Sequence, residues 1–259
     1  MNASLKSHSQ GQTMVLTISN PDHRNALGPD IYAAGVEAIN VAESSSDVRS
    51  VAITGEGPHF CAGGNLKRLQ TNRQQPPEVQ AQSIEGLHSW IETIRSFSKP
   101  VVAAVEGSCA GAGFSLALAC DFIVAAHNSV FVMAYSNVGL SPDGGASWSL
   151  VRALPRVTAL QLLMLGDRIA ADRLQQLGVI TTVSAQGSAL TDALALCERL
   201  NARAPNALAS IKELVNEAQH TTLHQQLGHE RDHFVRNLHH PNGGEGISAF
   251  LAKRPAQYR

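Results

Sequence analysis

Residues 100–126 read PVVAAVEGSCAGAGFSLALACDFIVAA, in which two runs of small and β-branched residues are separated by a glycine-rich turn and a short apolar stretch. The first run, at residues 100–106, ends at the glycines, where a strand typically gives way to a helix. The second run, at residues 119–126, predicts another strand after a short helix. Apolar strands that alternate with helices are typical of an α/β fold whose strands are buried and largely parallel.

The same alternation continues on both sides of this stretch. The pattern predicts strands at residues 13–19, 48–54, 129–133 and 178–183, and helices at residues 29–43 and 79–97. From residue 189 onward it is helical, with breaks at Pro205, His220 and residues 241–244. We therefore expect a C-terminal region of two or three helices, of a kind that often docks on a neighbouring subunit.

The composition is that of a globular protein with balanced charge. Of 259 residues, 44% are hydrophobic and 16% are charged, with 20 Lys and Arg against 21 Asp and Glu. The formal net charge of -1 gives no general attraction to nucleic acid or to an anionic membrane. No run approaches the roughly 18 apolar residues of a membrane-spanning helix, and no secretory signal pattern opens the sequence. We expect a cytoplasmic protein.

Residues 70–83, QTNRQQPPEVQAQS, are rich in Gln and Pro and follow a glycine-rich turn. This composition predicts a mobile surface loop. Two roles stay open for the loop at this point, a mere spacer and a lid over a site.

Two glycine-rich turns carry the first functional signal. FCAGGNL occupies residues 60–66 and EGSCAGAGF occupies residues 106–114, each between a predicted strand and a predicted helix. A helix that begins at such a turn presents unpaired backbone N–H groups, which favour negative charge. One N–H from each turn could form an oxyanion hole, although glycines at these positions also serve tight turns alone. Neither turn matches a nucleotide-binding pattern.

Five blocks stand in a fixed order along the chain. They are RNAL at residues 24–27, FCAGGNL at 60–66, KPVVAAVEGSCAGAGFSLALACDF at 99–122, VGLSPDGG at 138–145 and AFLAKRPAQY at 249–258. This set resembles the crotonase superfamily, the enoyl-CoA hydratase/isomerase family, over essentially the whole chain.

The resemblance implies a spiral core of repeated ββα units, with the acyl-CoA site in residues 1–200 and a helical trimerisation region in residues 201–259. It also implies a homotrimer or a hexamer built from two trimers. The substrate it implies is an acyl-CoA thioester, so that coenzyme A is part of the substrate and no further cofactor is expected. Neither nucleic acid nor a membrane is expected as a partner.

In the family, two backbone N–H groups bind the thioester oxygen, and the matching positions here are Gly64 and Ala112. Glycine is usual at the second position. The N–H of an alanine remains available there unless the backbone requires a positive φ.

The resemblance also assigns residues to coenzyme A. These are Arg24, Ala26, Ala62, Gly64, Asn65, Leu66, Lys67 and Ala112, together with Phe250 and Lys253, which match a pair that reaches the coenzyme A of a neighbouring subunit. Arg24 and Ala26 are expected along the pantetheine and phosphates, and the backbone of residues 62–66 along the adenine. An ordinary solvated charge is the alternative for Arg24, Lys67 and Lys253.

The catalytic positions depart from those of the family's hydratases. Hydratases hold a water molecule with two glutamates, and the matching positions are Ser115 and Tyr135, neither of which is an acid or base at neutral pH. A carboxylate stands instead at Asp143, where members that shift double bonds, including the phenylacetate-pathway ring-epoxide isomerases, carry a single Asp or Glu. One carboxylate suffices to move a proton along an acyl chain. The alternative for Asp143 is a helix N-cap.

His88 adds a second hypothesis. Together with Tyr135 and Asp143 it resembles the His, aromatic and Asp trio of aroyl-CoA dehalogenases, in which the Asp attacks a ring and the His activates water. Gly64 stands where those enzymes carry a bulky aromatic residue, which disfavours this interpretation. A histidine that simply packs on a helix surface is the alternative.

Residues 229–233, HERDH, match the zinc pattern H-E-x-x-H. The interior of the match is charged and lies in an amphipathic helix, so we interpret it as a chance match on a solvated face. The cysteines form no C-x-x-C pair. We expect no metal site.

Isomerisation of a double bond in an acyl-CoA, with Asp143 as general acid and base, is the favoured function. Hydration or oxepin-type ring hydrolysis is the first alternative, with Asp143 activating water alone or with His88. A non-catalytic binding protein is another. For the acyl group the sequence offers only Trp148 and Phe114, which could meet a flat or medium-sized chain.

Overall fold

The computed structural model describes residues 3–259, which form nine strands and eleven α-helices. The strands are β1 (Ser4–Gln10), β2 (Thr13–Ser19), β3 (Ser50–Gly55), β4 (Val101–Val105), β5 (Ser108–Ala110), β6 (Phe122–Ala126), β7 (Val130–Val132), β8 (Arg168–Ala170) and β9 (Thr182–Ser184). The helices are α1 (Pro29–Ser44), α2 (Leu66–Asn72), α3 (Pro77–Ser96), α4 (Ala112–Ala119), α5 (Ala146–Ala153), α6 (Arg156–Leu165), α7 (Ala171–Gln176), α8 (Ala189–Asn201), α9 (Pro205–Glu217), α10 (Leu223–Leu238) and α11 (Pro241–Leu251).

Six strands form the main sheet, in the order β1-β2-β3-β4-β6-β9. β1 and β2 form an antiparallel hairpin, and the remaining neighbours are parallel. A smaller sheet has the order β5-β7-β8, with β5 and β7 parallel. The predicted α/β class and the parallel pairing of the buried strands are confirmed.

The central strands of the main sheet, β2, β3, β4 and β6, are covered on both faces, which explains why they are apolar at most positions. Successive side chains of β4 point to opposite faces, and all are buried because both faces are covered. Val101 and Ala103 pack in the large core with α1 and α3, whereas Val102 and Ala104 pack against α8. A strand buried on both faces reads as a continuous apolar run.

The predicted strand at residues 178–183 is largely wrong. Gly178 has a φ of +79°, and its N–H donates to the carbonyl of Gln175 at 2.9 Å. This glycine therefore ends α7, and β9 begins only at Thr182. β1, β5 and β8 lie outside every predicted strand.

The predicted loop at residues 70–83 is also wrong. α2 extends to Asn72 and α3 begins at Pro77, so that only residues 73–76 connect them. Proline suits the first position of a helix because its missing N–H would be unpaired there, and Gln, Glu and Ala are good helix formers. Arg68 Nη1 donates to Ser83 Oγ at 2.6 Å, which ties the two helices together.

The chain from residue 189 forms four helices rather than two or three. The breaks at Pro205 and near His220 are confirmed, since α9 begins at Pro205 and ends at Glu217, but residues 241–244 are the first turn of α11. α8 packs on the main sheet, whereas α10 and α11 leave Leu223, Phe234 and other apolar side chains exposed. The division at residue 200 and the trimer stay predictions.

Within residues 3–259, no helix combines the length and the apolar character needed to cross a membrane.

Candidate active site

The two glycine-rich turns lie side by side. Cys61 and Cys109 form a short parallel bridge. The N–H of Cys61 donates to the carbonyl of Ser108 at 3.0 Å, and the N–H of Ala110 donates to the carbonyl of Cys61 at 2.9 Å. Two turns that are far apart in the sequence are therefore hydrogen-bonded to each other through their backbones.

Glycine is required where these turns touch. Gly63 has a φ of +90°, and a Cβ placed there would lie 2.7 Å from the carbonyl oxygen of Ala110 and 3.3 Å from the nitrogen of Ala112. A Cβ at Gly113 would lie 2.6 Å from the carbonyl oxygen of Cys61. The missing side chains let the backbone before Gly64 approach the start of α4 closely.

The N–H groups of Gly64 and Ala112 are both available at this contact. Ala112 is the first residue of α4, so its N–H has no acceptor within the helix. Among the hydrogen bonds of residues 3–259, neither of the two N–H groups is a donor. Ala112 is in a helix and its φ is not positive, so an alanine causes no backbone strain there. Two unpaired N–H groups, one of them in the first turn of a helix, can stabilise an oxyanion.

A cavity of about 400 Å³ opens in front of both groups. Its apolar walls include Leu66, Leu69, Ile84, Val138 and Leu140, and its ionisable side chains are His88, Tyr135 and Asp143. Asp143 is the single carboxylate among the described residues that line it. The cavity therefore combines an apolar wall with a single carboxylate able to carry a proton.

Asp143 is oriented by two hydrogen bonds. Tyr135 Oη donates to Asp143 Oδ1 at 2.6 Å, and Ser115 Oγ donates to the backbone carbonyl of Asp143 at 3.0 Å. Burial, followed by the negative charge of Asp143, raises the pKa of Tyr135 well above its ordinary value. Tyr135 is therefore a neutral donor, and it holds the carboxylate in one orientation.

The helix-cap alternative for Asp143 is wrong. α5 begins at Ala146 with Gly145 as its N-cap, and no side chain caps it. Gly144 and Gly145 both have positive φ values, +58° and +76°, and turn the chain between Asp143 and the helix. The carboxylate of Asp143 is therefore free of helix capping and faces the cavity.

His88 lies on the face of α3 that lines the cavity with Gln80 and Ile84, at intervals of four residues. Its Nδ1 lies 3.8 Å from Glu85 Oε2, and its side chain is 41% exposed. The structure thus brings His88 to the same cavity as Asp143. Sequence analysis did not single out Gln80 and Ile84, although both lie in the helix predicted at residues 79–97 and the four-residue spacing to His88 was present.

The segment of residues 24–27 is attached to the first glycine-rich turn. The N–H of Ala62 donates to the carbonyl of Arg24 at 2.9 Å, and the N–H of Leu27 donates to the carbonyl of Gly63 at 2.7 Å. Arg24 is exposed in a left-handed conformation with a φ of +50°, and Ala26 is buried. These contacts place Arg24 beside the turn that supplies Gly64.

The next residues begin α2 at the mouth of the cavity. Asn65 caps this helix, since its Oδ1 accepts a hydrogen bond from the N–H of Arg68 at 3.1 Å. Leu66 is 60% exposed and also lines the cavity, and Lys67 is exposed. Leu66 therefore places the start of α2 beside the cavity.

Phe250 and Lys253 lie away from this cavity. Phe250 is 83% exposed on α11, and Lys253 follows the helix with a φ of +52°. Neither residue lines the cavity in this chain. Their contact with the coenzyme A of a neighbouring copy stays a prediction.

Neither Phe114 nor Trp148 lines this cavity. Phe114 is fully buried and packs edge-on against Phe131, with ring centroids 5.0 Å apart. Trp148 lines a second cavity instead. Tyr32 lies outside this cavity, and burial raises its pKa to about 12 because the effect of burial outweighs the lowering by the charge of Arg68.

The two histidines of the H-E-x-x-H match pair with glutamates of a neighbouring helix. His229 Nδ1 lies 2.8 Å from Glu217 Oε2, and His233 Nε2 lies 3.7 Å from Glu213 Oε2, so that α10 is paired with α9. No group of three or more His, Cys, Asp or Glu side chains in the described part of the chain is arranged to hold a metal ion.

Comparisons with known proteins agree with this geometry. A model of the family described as "Enoyl-CoA hydratase/isomerase" matches residues 8–259. The chain is 34% identical to 1,2-epoxyphenylacetyl-CoA isomerase and 30% identical to 2,3-dehydroadipyl-CoA hydratase, both of Escherichia coli, over 97% and 96% of each chain. A crystal structure of an enoyl-CoA hydratase from Polaromonas sp. JS666 shares 69% identity over 99% of this chain and 100% of that one, with a TM-score of 0.98. The resemblance to the crotonase superfamily is confirmed, and the chain belongs to the enoyl-CoA hydratase/isomerase family.

Proposed function

We propose that this enzyme isomerises a carbon–carbon double bond in an enoyl-CoA thioester. The N–H groups of Gly64 and Ala112 hold the thioester oxygen, and Asp143 carries the proton. The observation that carries the proposal is that Asp143 is the single carboxylate among the described residues lining the cavity. Addition of water by a pair of carboxylates would require a second.

The reaction needs one proton carrier and one anion site. Asp143 removes a proton from the α-carbon of a 3-enoyl thioester, and the electron pair spreads over the diene and onto the thioester oxygen. Each N–H donor to that oxygen is typically worth about 10²–10³ in rate. Protonated Asp143 then returns the proton to the γ-carbon, which leaves the double bond in conjugation with the thioester. Atoms balance without a co-reactant, so we propose that no further cofactor takes part.

Tyr135 and Ser115 position the carboxylate. The phenol keeps its own proton at neutral pH and donates to Oδ1, so that Oδ2 is the oxygen available to the acyl chain. Ser115 fixes the backbone carbonyl of residue 143. In this assignment both residues are positioning residues, and neither supplies a second acid.

Hydration or oxepin-type ring hydrolysis is the second candidate. It is favoured by His88, which lines the same cavity and could hold a water molecule for Asp143. One relative is named a hydratase and another an isomerase, so similarity supports both reactions. Aroyl-CoA dehalogenation has less support because Gly64 offers no aromatic side chain, and a non-catalytic role leaves Asp143 unexplained.

For coenzyme A we propose the contacts that the resemblance implies. Arg24 and Ala26 would follow the pantetheine and phosphates, and residues 62–67 the adenine. Phe250 and Lys253 would reach the coenzyme A of a neighbouring copy in a trimer or hexamer.

Solvent deuterium distinguishes the two reactions. The full chain is incubated in deuterated water with a 3-enoyl-CoA and, separately, with crotonyl-CoA. The products are separated by chromatography, and their masses are measured by mass spectrometry. Formation of the 2-enoyl product without addition of water supports isomerisation, whether Asp143 returns the same proton or one exchanged with the solvent. Addition of water to crotonyl-CoA, with no conversion of the 3-enoyl-CoA, would replace the proposal with hydration.

A further inference from the structure

A second cavity, of about 790 Å³, lies next to the first. His88 lines both cavities, and Gly144 and Gly145, which directly follow Asp143, line the second. The second cavity therefore begins beside the place proposed for the reacting carbons of the acyl chain.

One face of α3 forms the wall of the second cavity. His88, Ile91, Glu92 and Arg95 all line it, at the spacing of a single helix face. Arg95 lies seven residues beyond His88, which corresponds to about 10 Å along the helix axis. At roughly 1.2 Å per bond, the five bonds beyond the β-carbon of an extended eight-carbon acyl group cover about 6 Å, and the side chain of Arg95 covers the rest because long side chains on a helix lean towards its N-terminus. Arg95 thus lies where the far end of a medium-length acyl group would reach.

The guanidinium of Arg95 is held in place by uncharged partners. Its Nη2 donates to Asn216 Oδ1 at 2.7 Å, and the side-chain amide of Asn216 donates back to the carbonyl of Arg95 at 3.1 Å. The guanidinium carbon lies 4.9 Å from the centroid of the Trp148 ring, and that of Arg152 lies 4.0 Å from the same ring. The positively charged guanidinium groups of Arg95 and Arg152 therefore both lie close to the ring of Trp148.

Neither of the carboxylates that line this cavity compensates the positive charge. Glu217 lies 2.8 Å from His229, and Glu92 is exposed. Within residues 3–259, Arg95 forms no ion pair with a carboxylate. Burial lowers the pKa of Arg95, and the charge of Arg152 lowers it further, against the opposing charge of Asp121. A half-buried guanidinium in these surroundings favours an anionic partner.

We propose that Arg95 binds a carboxylate at the distal end of the acyl group, so that the enzyme prefers ω-carboxyacyl-CoA thioesters of about eight carbons to monocarboxylic thioesters of equal length. This proposal rests on the proposed function for the place of the thioester. It extends that function by naming the substrate class and a residue that determines specificity.

Binding of saturated thioesters tests the proposal without any turnover. Affinities of the full chain for suberyl-CoA, octanoyl-CoA and acetyl-CoA are measured by calorimetry, for wild type, Arg95→Gln and Arg203→Gln, the last an exposed arginine outside both cavities. Wild type and Arg203→Gln are expected to bind suberyl-CoA about 10- to 100-fold more tightly than octanoyl-CoA, as for a charge-assisted hydrogen bond. Arg95→Gln is expected to lose that preference and to keep its affinity for acetyl-CoA.

Two results would overturn the proposal. One is a wild-type protein that binds octanoyl-CoA as tightly as suberyl-CoA, and the other is a preference that survives Arg95→Gln. If Arg95→Gln no longer binds acetyl-CoA, the salt dependence of the wild-type preference decides, because an ionic contact weakens with ionic strength and an apolar one does not. Saturated thioesters bind whether the reaction is isomerisation or hydration, so failure here is distinguishable from failure of the proposed function.

Discussion

Replacing Gly63 by alanine probes the contact between the two glycine-rich turns. The new Cβ would lie 2.7 Å from the carbonyl oxygen of Ala110, where ordinary contacts begin at 3.4 Å. The turns must therefore separate by several tenths of an ångström, which displaces the N–H of Gly64 from that of Ala112. Since a misplacement of about 1 Å costs on the order of 10²-fold in rate, we expect kcat for a 3-enoyl-CoA to fall by about that factor.

A matched substitution separates this effect from backbone strain. Gly57 also has a positive φ, +73°, but a Cβ there would meet nothing within 4 Å. Both substitutions carry the strain of a left-handed alanine, about 1–3 kcal/mol of stability, measurable by urea unfolding. Gly57→Ala is expected to keep wild-type kcat. If Gly63→Ala also keeps it, the N–H pair does not hold the thioester oxygen as described.

Two further predictions concern single hydrogen bonds. Tyr135→Phe removes the donor to Asp143 Oδ1 and keeps the ring, so kcat for a 3-enoyl-CoA should fall about 10- to 100-fold. Affinity for acetyl-CoA should stay unchanged, and a wild-type kcat would show that Tyr135 does not position the carboxylate. Hydrogen bonds from Arg254 lower the pKa of Glu245 from 4.5 to about 2. The stability that this pair contributes is therefore fully present above pH 4.5 and is lost as the pH falls towards 2. Thermal unfolding of Glu245→Gln should therefore depend less on pH in that window, and an equal dependence would exclude the pair as a source of acid sensitivity.

The oxyanion site could be predicted from the sequence because its chemistry resides in the backbone. Gly64 and Ala112 follow strands whose apolar runs are unmistakable, and a turn rich in glycine leaves few other conformations. Asp143 was identified by its place in the block VGLSPDGG, whereas only the structure excluded the helix cap that the sequence also allowed. These signals are local in the sequence.

The errors arose where tertiary contacts or short elements decide the structure. Composition alone suggested a loop at residues 70–83, yet Pro77 begins a helix whose packing buries Leu87 and Trp90. β5 and β8 have three residues each, too few to show a periodicity of two. No local sequence pattern indicates the role proposed for Arg95. Asn216, which orients its guanidinium, belongs to α9 and is far away in the sequence.

The central claim is that Asp143 moves the proton. Turnover of a 3-enoyl-CoA and of crotonyl-CoA is compared for wild type and Asp143→Asn, with binding of acetyl-CoA as the control for folding. We predict that 3-enoyl-CoA turnover falls by at least about 10²-fold while acetyl-CoA binds as before. An Asp143→Asn variant that isomerises at the wild-type rate, or a wild-type enzyme that converts only crotonyl-CoA, would contradict the account.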